Sequence, residues 1–285
     1  MGRRTCRAVR PMITLRSVLF QVLFYTHLIG QLLINLPVFF LRSEEARWRT
    51  VKGWARNSLW LLRHVAGTHS VVEKADLVPH GPCIVAAKHQ SFWDVIALLL
   101  AVDRPTFILK KELMGIPVFG WYAQNLGMIP VDRSRRAAVL PSLLAGARKA
   151  VAEGRQIVIY PEGTRSAPGT APNYRPGIHY LYAELGLPVV PVALNSGLFW
   201  PRQAVRREPG TIRAEFLEPI PPGLEREPFI GELRDRIEAR SLDLVKRAYA
   251  ERPDLPKSDL VTRLLADPDP HPVVEERAPA GTQGL

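Results

Sequence analysis

Cysteine is scarce in this chain of 285 residues. Its two cysteines, Cys6 and Cys83, show no CxxC spacing, and no group of histidines accompanies them. A disulfide scaffold and a structural zinc site are therefore not expected. The chain also lacks a set of His, Asp and Glu residues at the spacing of metal ligands, so we expect neither a metal ion nor another cofactor.

Acidic residues are scarce over the first 66 residues. The whole chain has 38 Lys+Arg and 27 Asp+Glu, which gives a formal net charge of +11. Residues 1–66 contain eleven basic side chains but only two acidic ones, Glu44 and Glu45, so this segment alone has a charge of +9. Positive charge concentrated at one end suits an anionic membrane surface, and we expect no nucleic-acid partner.

Charge of either sign is absent from Val18 to Leu41, a run of 24 residues rich in Leu, Val, Phe and Ile. About 20 apolar residues suffice to cross a bilayer, but Gly30, Pro37 and four polar side chains interrupt this run. Arginines lie on both flanks, so the positive-inside rule assigns no orientation. Two interpretations stay open: a spanning anchor, or a kinked helical pair in one leaflet with both flanks on the cytoplasmic side.

A second amphipathic helix is predicted to follow. Ser43 suits its N-cap, and Glu44 and Glu45 fall in the first turn. Apolar residues then recur at spacings of three and four, with basic residues and two further tryptophans on the rest of the helix. Such a helix suits a membrane interface, but an ordinary surface helix packed on the core has the same pattern. The apolar positions are Trp48, Val51, Ala55, Leu59, Leu62 and Ala66.

Proline and acidic residues dominate the end of the chain. Residues 253–285 contain six prolines and have a net charge of −3. We expect a mostly disordered tail there, with a short helix near Asp259 to Ala266. The predicted organisation is thus a basic, membrane-associated two-helix segment (1–66), an α/β domain (67–252) and this tail (253–285).

Short apolar runs alternate with longer helical patterns through residues 67–252. This alternation predicts an α/β fold in which a largely parallel central sheet is covered by helices on both faces, with the membrane-associated helical pair before it. In such folds reactive side chains collect where strands end. The predicted strands are Ser70 to Glu73, Cys83 to Lys88, Thr106 to Lys110, Met128 to Val131, Gln156 to Tyr160, Val189 to Leu194 and Arg213 to Leu217. The predicted helices are Val95 to Val102, Val118 to Leu126, Arg136 to Glu153, Gly177 to Leu185 and Gly231 to Tyr249.

A histidine and an aspartate follow the second predicted strand. His89 and Asp94 are five residues apart, so they do not share a face of one regular helix. If His89 is still in the loop and Ser91 caps the next helix, Asp94 falls at the third helical position and points back towards the imidazole. The pair is then a catalytic dyad. The alternative is that Ser91 and Asp94 form only a capping box.

A polar turn with one glycine follows the fifth predicted strand. In Pro161-Glu162-Gly163-Thr164-Arg165-Ser166 the glycine permits close approach of the backbone, and Arg165 can hold a phosphate with two parallel hydrogen bonds. A salt-bridged loop is the alternative. Lys110, Lys111 and Arg133 place further cations at strand ends, where plain solvated charge is the other interpretation.

These segments together resemble the glycerolipid acyltransferase family. Four blocks follow in the family's order over residues 89–196, and the combination of His-x4-Asp with Glu-Gly-Thr-Arg is specific. The resemblance implies transfer of a fatty acyl group from acyl-CoA or acyl carrier protein to the free hydroxyl of a lysophospholipid. The implied acceptor is 1-acyl-sn-glycerol-3-phosphate, and the product is phosphatidic acid, made in phospholipid biosynthesis. The blocks are His89 to Asp94, Lys110 to Leu113 with Gly127 to Arg133, Pro161 to Ser166, and Val190 to Ser196.

The resemblance also implies residue roles and a location. His89 is the expected general base, and Asp94 is the carboxylate that orients it. The expected location is the cytoplasmic side of the cell inner membrane. The chain departs from the family at Lys88, where many members have Asn, and this leaves the choice of acceptor or donor open. The implied substrate-binding residues are Lys110, Glu162, Gly163, Thr164 and Arg165.

Three alternative functions stay open. The acceptor can be another lysolipid, such as a lyso-ornithine lipid or another lysophospholipid. A membrane-associated thioesterase would use His89 to activate water instead of a lipid hydroxyl. A non-enzymatic protein that binds anionic lipid or nucleic acid through the basic leader would leave the four blocks unexplained.

Overall fold

The computed structural model describes residues 2–132 and 136–267. Each of the seven predicted strands is present, with ends shifted by at most three residues. The strands are β1 (Thr68–Glu73), β2 (Ile84–Ala87), β3 (Pro105–Lys110), β4 (Ile129–Val131), β5 (Gln156–Ile159), β6 (Val189–Leu194) and β7 (Gly210–Phe216). The helices are α1 (Gly2–Phe39), α2 (Glu44–Leu61), α3 (Trp93–Ala101), α4 (Phe119–Asn125), α5 (Arg136–Ala152), α6 (Gly177–Leu185), α7 (Arg226–Glu251) and α8 (Asp259–Ala266).

The strands form one sheet in the order β1-β7-β6-β2-β5-β3-β4. Among the described strands, only β6 and β7 pair antiparallel, and all other neighbours are parallel. The prediction of a largely parallel sheet is confirmed. The reversal at β7 was not predicted. The connection from β6 to β7 contains a 3₁₀ turn, Ser196–Leu198, but no α-helix of the kind that usually returns the chain for a parallel neighbour.

Helices cover both faces of this sheet. Along β2, Val85 and Ala87 belong to one apolar cluster, together with residues of α1, α2 and α3. Ile84 and Ala86 point to the opposite face, into a second cluster with α5, α6 and the first half of α7. The alternation follows from the two-residue period of a strand, and it leaves the strand ends as the place where polar side chains reach solvent.

The N-terminal helices pack against the α/β domain. The proline at Pro37 does not divide α1, which continues to Phe39. Phe20, Phe24 and Phe39 of α1 are buried in the core. The amide of Ala46 donates to the Ser43 hydroxyl at 3.3 Å, as the predicted N-cap requires.

The second helix is also fixed to the domain. The Lys52 ammonium donates to the carbonyl oxygens of Val102 and Asp103, just beyond α3, at 2.9 and 3.1 Å. A π-helical turn, Leu62–Ala66, then buries Leu62 and Ala66 in the core. This contact favours the interpretation of α2 as a helix packed on the core, although Trp60 stays exposed.

The expectation of a mostly disordered tail does not hold for residues 253–267, the part of the tail that the structure describes. Leu255 and Val261 are buried, and the phenol of Tyr249 donates to the Pro256 carbonyl at 2.9 Å. The predicted short helix is present as α8, with the Ser258 side chain capping it. Leu255 and Val261, with the partly buried Leu264 and Leu265, pack on the apolar cluster that includes α7 and dock this segment despite its prolines. Residues 268–285, and with them most of the proline-rich run that starts at Asp267, lie outside the described residues.

Candidate active site

His89 and Asp94 lie in contact just beyond β2. The Nδ1 atom of His89 is 2.9 Å from Oδ2 of Asp94. The Asp94 side chain is fully buried, whereas 15% of the His89 side chain is exposed. A carboxylate at this position favours the tautomer with the proton on Nδ1, which leaves the lone pair of Nε2 free to accept a proton. The geometry is that of the predicted dyad.

Asp94 is held by several further donors. Its Oδ2 accepts the backbone N–H groups of Gln90 (2.6 Å) and Ser91 (2.9 Å), and its Oδ1 accepts the hydroxyls of Ser91 (3.3 Å) and Ser196. Charge-assisted hydrogen bonds of this number fix the carboxylate in one orientation. Asp94 therefore binds the backbone turn and the imidazole at once, so its role is more than that of a capping residue.

The helix begins one residue later than the predicted cap implied. Phe92 is the N-cap residue of α3, so Asp94 is its second residue rather than its third. Ser91 stands in the turn before the helix, where its hydroxyl accepts the N–H of Trp93 at 3.0 Å. The turn closes around the Asp94 carboxylate, and this displaces Ser91 from the cap.

An aromatic ring that sequence reasoning missed lies on the imidazole. The rings of His89 and Tyr160 are stacked, with centroids 3.9 Å apart and an interplanar angle of 16°. Burial, and secondarily the charge of Asp94, raises the pKa of the Tyr160 phenol well above its ordinary value, so it is neutral. Its only signal in the sequence is its position as the last residue of the predicted fifth strand.

The Pro161–Ser166 turn is joined to the end of β2. The N–H of Ser166 donates to the carbonyl of His89 at 2.8 Å, and that of Gly163 donates to Tyr160 at 2.9 Å. Gly163 has a φ of +69°, a conformation that a residue with a side chain rarely adopts. Because β2 and β5 are paired with Ala86 opposite Ile159, the turn and the histidine stand at the same sheet edge.

Glu162 lies in a buried charge cluster beside the dyad. Its carboxylate is 3.0 Å from the ammonium of Lys88 and accepts the hydroxyl of Ser166. Lys88 also contacts both carboxylate oxygens of Glu238, on α7, at 2.7 and 2.8 Å, and Tyr174 donates to Glu238 at 3.2 Å. Lys88 thus points away from the imidazole of His89, and Glu162 is bound by protein groups instead of facing an open site.

The charges in this cluster shift the pKa values of its members. Burial lowers the pKa of Lys88, but the carboxylates of Glu238 and Glu162 outweigh burial and hold it above its usual value. Burial likewise raises the pKa of Glu238, against the opposing effect of Lys88. The two carboxylates therefore favour the charged form of the buried Lys88 side chain.

The remaining predicted residues lie nearer the surface. Thr164 is exposed and Arg165 is half-buried. Lys110 is exposed at the end of β3, which neighbours β5 in the sheet, so it stands at the same edge as His89. Arg133 of the second block lies outside the described residues.

Hydrogen bonds from the end of the fourth block and the residue after it hold the His89–Asp94 turn in place. Besides the contact of Ser196 with Asp94, the N–H of Gly197 donates to the side-chain oxygen of Gln90 at 2.9 Å. Ser196 was part of a recognised block but was not predicted as a site residue. Its hydroxyl reaches Asp94 only because β6 lies next to β2 in the sheet.

Comparison with known proteins identifies the family. Residues 69–195 match the Acyltransferase family, a span that contains the dyad and the Pro161–Ser166 turn. The chain is 32% identical over 226 residues to a 1-acyl-sn-glycerol-3-phosphate acyltransferase of Pseudomonas aeruginosa, and the match covers 79% of this chain and 88% of the relative. The chain belongs to the 1-acyl-sn-glycerol-3-phosphate acyltransferase family.

More distant relatives of the acyltransferase match as well. A 1-acyl-sn-glycerol-3-phosphate acyltransferase of Saccharomyces cerevisiae is 28% identical, over 72% of this chain and 68% of the relative. The crystal structure of the 1-acyl-sn-glycerophosphate acyltransferase of Thermotoga maritima aligns with a TM-score of 0.65, over 84% of this chain and 97% of that one. At 24% identity this likeness concerns the fold.

Proposed function

We propose that this acyltransferase moves a fatty acyl group from acyl-CoA or acyl carrier protein to the free hydroxyl of 1-acyl-sn-glycerol-3-phosphate, which gives phosphatidic acid. The relatives in bacteria, yeast and other organisms carry the name of this activity. The observation that carries the proposal is the His89–Asp94 contact of 2.9 Å at the same strand edge as the Arg165 turn. It unites a base and a phosphate-binding side chain in one site.

The reaction follows from the free Nε2 of His89. The acceptor oxygen attacks the thioester carbon while its proton passes to Nε2, and the carbonyl becomes a tetrahedral oxyanion. Collapse of this intermediate breaks the C–S bond, and the departing thiolate takes the proton back from the imidazolium. Asp94 stabilises the imidazolium in between. The products are the acylated acceptor and the free thiol, and the imidazole is neutral again.

A covalent acyl-enzyme is not part of this proposal. The thioester is already activated, so a hydroxyl can attack it directly. Cys83 is fully buried, and burial raises the pKa of its thiol to about 12, which argues against a thiolate nucleophile there. The hydroxyls nearest the dyad, those of Ser91 and Ser196, both donate to Asp94.

The binding roles divide between the predicted residues. The side chains of Arg165 and Lys110 have no hydrogen-bond or ion-pair partner among the described residues, so both can meet a substrate phosphate. Gly163 and Thr164 would offer backbone and hydroxyl contacts. Glu162 would act indirectly, because its carboxylate already joins Lys88 and Ser166; its part is to hold the turn in place.

The acceptor is a membrane lipid, and α1 supports a membrane location. The stretch Pro11–Phe39 is long and apolar enough to cross a membrane. One side of it nevertheless contacts the domain from Ser17, beside Arg207, to Phe39, stacked on Tyr122. This contact spans about 33 Å of helix at 1.5 Å per residue, so crossing the bilayer would carry the domain into it. We therefore favour α1 in one leaflet, on the cytoplasmic side of the inner membrane.

A panel of acceptors tests the proposed function. The purified full-length protein is incubated with one labelled acyl-CoA and, in turn, lysophosphatidic acid, two zwitterionic lysophospholipids, a lyso-ornithine lipid and no acceptor. New phosphatidic acid in the first arm alone is the expected result. Free fatty acid at the same rate with and without acceptor would identify a thioesterase, and no turnover in any arm would contradict an enzyme of this class.

Substitution of the base completes the test. His89→Ala should lower kcat by about 10² to 10⁴-fold, with the circular dichroism spectrum and melting temperature close to those of the parent. His80→Ala is the matched control, because it also removes an imidazole but from a side chain that is fully exposed. Near-normal kcat in His89→Ala would refute the assignment of the base.

A further inference from the structure

A cavity of about 250 Å³ lies between α1 and the loop that connects β6 to β7. Gln21 and Tyr25 line it from α1, and residues 200–205 and 207 line it from the loop. Phe92 and Arg165 form the wall next to the active site. None of the four sequence blocks includes the loop residues.

Three arginines face this cavity: Arg165, Arg202 and Arg207. No Asp or Glu among the described residues lines it. The guanidinium of Arg165 has no described partner, and Arg202 donates only to neutral acceptors, the Thr164 hydroxyl and the Arg165 carbonyl, each at 3.4 Å. The cavity therefore concentrates positive charge that the protein itself does not neutralise.

Arg207 is the most enclosed of the three. It is 6% exposed, and its Nη1 donates to the carbonyl oxygens of Val205 and Arg206 at 3.1 and 3.2 Å. The guanidinium lies over the ring of Trp200 at 4.8 Å. Its Nε is buried with no partner among the described residues, as is Oε1 of Gln21. Buried polar atoms without a partner are uncommon in folded proteins, and here two of them border one cavity.

Burial lowers the pKa of Arg207 to about 10, so the side chain is still charged at neutral pH. The loop itself is fixed at both ends: Trp200 N–H donates to Ser196 at 2.8 Å, and Arg207 N–H donates to Ser17 of α1 at 2.8 Å. Between them, Gln203 has a φ of +62°. A residue held in this sparsely populated region is often found where a loop presents groups to a ligand.

We infer that this cavity is a binding subsite for a phosphate monoester, with Arg165, Arg202 and Arg207 as its cationic wall. The inference rests on the proposed function and deepens it. A phosphate monoester has a charge between about −1.5 and −2 at neutral pH, which suits several guanidinium groups. An ammonium-bearing headgroup would find no carboxylate here among the described residues.

Two substrates carry such a group: the acceptor on its glycerol and acyl-CoA on its ribose. The acceptor fits better, because the same helix that lines the cavity with Gln21 and Tyr25 exposes apolar side chains at Val18, Val22 and Ile29. A lysolipid can lay its chain along that surface while its phosphate enters the cavity. The amide of Ser166, next to Arg165, meets the carbonyl of His89 at 2.8 Å, so the glycerol between chain and phosphate comes near the base.

The test compares Arg202→Gln with a charge-retaining Arg202→Lys and with Arg206→Gln as control. Arg206 lies in the same loop, but its guanidinium pairs with Glu208 at 2.6 Å and does not line the cavity. Arg202→Gln should raise the KM for lysophosphatidic acid about 10- to 100-fold, the usual effect of losing a hydrogen bond to a charged group. The KM for acyl-CoA should change less than about twofold, and Arg202→Lys should fall in between.

Other outcomes distinguish the phosphate of the donor from that of the acceptor, and the subsite from the proposed function. A raised KM for acyl-CoA alone would assign the cavity to the donor, and unchanged KM values in a working enzyme would overturn the subsite while the function stands. Glycerol 3-phosphate serves as a probe without turnover: it should raise the melting temperature of the parent and of Arg206→Gln but not of Arg202→Gln. That result in a protein without acyl transfer would support the subsite and refute the function.

Discussion

The imidazole of His89 lies face to face with the phenol ring of Tyr160, with centroids 3.9 Å apart. The hydrogen bond from His89 to Asp94 fixes the direction of the imidazole within its plane, whereas the stacked ring fixes the plane itself. The Tyr160 hydroxyl is buried and has no hydrogen-bond partner among the described residues. Tyr160 is thus a positioning residue that acts through its ring.

Replacement of this ring should impair catalysis. Tyr160→Leu keeps an apolar side chain but removes the stack, so we expect kcat to fall about tenfold, because the imidazole is held less well in its reactive geometry. Tyr160→Phe keeps the ring and loses an unpaired buried hydroxyl, so kcat should stay within about twofold. Steady-state assays at several pH values measure both. Equal losses in the two variants would show that the hydroxyl acts in the reaction.

The contact between His89 and Asp94 could be predicted from the sequence because the two residues are close along the chain. His89 and Asp94 stand on one turn, and the strand that precedes them is a short apolar run. Tyr160 and Glu238 come from positions 71 and 149 residues beyond His89, so their contacts depend on how the sheet is ordered and on where α7 lies. Local pattern has no information on that arrangement.

The contacts of Glu162 also depend on a residue that is distant along the chain. The resemblance to a family predicted it as a substrate-binding residue, but its side chain meets Lys88, 74 residues earlier in the chain. Burial decides the outcome, since a buried carboxylate needs a partner. The expectation of disorder failed for residues 253–267 for a similar reason: composition does not show that Leu255 and Val261 find an apolar surface on the domain.

The Lys88–Glu238 pair should show strong coupling. Lys88→Met leaves the buried carboxylates of Glu162 and Glu238 without their cation, which should cost about 3 to 5 kcal/mol of unfolding free energy. Lys88→Met with Glu238→Leu removes one charge of each sign and should recover part of that loss. Urea unfolding of both single variants and the double variant gives the coupling energy. Additive effects would mean that the two side chains do not interact.

Kinetic assays of the same variants distinguish a role of the cluster in positioning the Arg165 turn from a role in stability alone. At a temperature where all variants are folded, Lys88→Met should raise the KM for lysophosphatidic acid more than that for acyl-CoA. The reason is that Glu162 then loses the contact that holds the turn of Arg165. Lys149→Met is a suitable control, since Lys149 lies on α5 and has no ion pair among the described residues. Unchanged KM values for both substrates would mean that the cluster affects only stability.

Glu215 should make stability depend on acidity. Its side chain is 1% exposed and contacts Lys74 at 2.9 Å and Arg240 at 2.5 Å. Burial raises its pKa, but the hydrogen bonds from both cations outweigh burial, so the pKa in the folded protein lies below the usual 4.5. This stabilisation is present above the unfolded pKa and is lost as the pH falls through the folded value.

The prediction for Glu215→Gln follows from that sign. The variant should lose about 1 to 3 kcal/mol of unfolding free energy at pH 7, and its difference from the parent should shrink as the pH falls below about 4. Thermal unfolding at a series of pH values measures this difference. Glu218→Gln is the control, because Glu218 follows the same strand but is exposed. A difference that stays constant down to pH 3 would contradict an ionic origin.

The exposed side of α1 should bind the membrane surface. Removal of residues 1–66 would take Phe20, Phe24 and Phe39 out of the core, so a single surface substitution is the cleaner test. Ile29 is 54% exposed on α1. Ile29→Asp forfeits the burial of a whole isoleucine side chain in lipid, about 1.5 to 3 kcal/mol, and adds repulsion from anionic headgroups. Binding to vesicles that contain phosphatidylglycerol should fall at least tenfold.

A substitution on α6 is the control for this vesicle experiment. Tyr180→Asp introduces the same charge at an apolar side chain that is 43% exposed on α6, away from α1. It should leave sedimentation with the vesicles unchanged, and both variants should melt near the temperature of the parent. If Ile29→Asp sediments like the parent while Tyr180→Asp does not, the membrane-facing surface lies on the side of α6. The one-leaflet position of α1 would then be wrong, because its apolar side chains would face water.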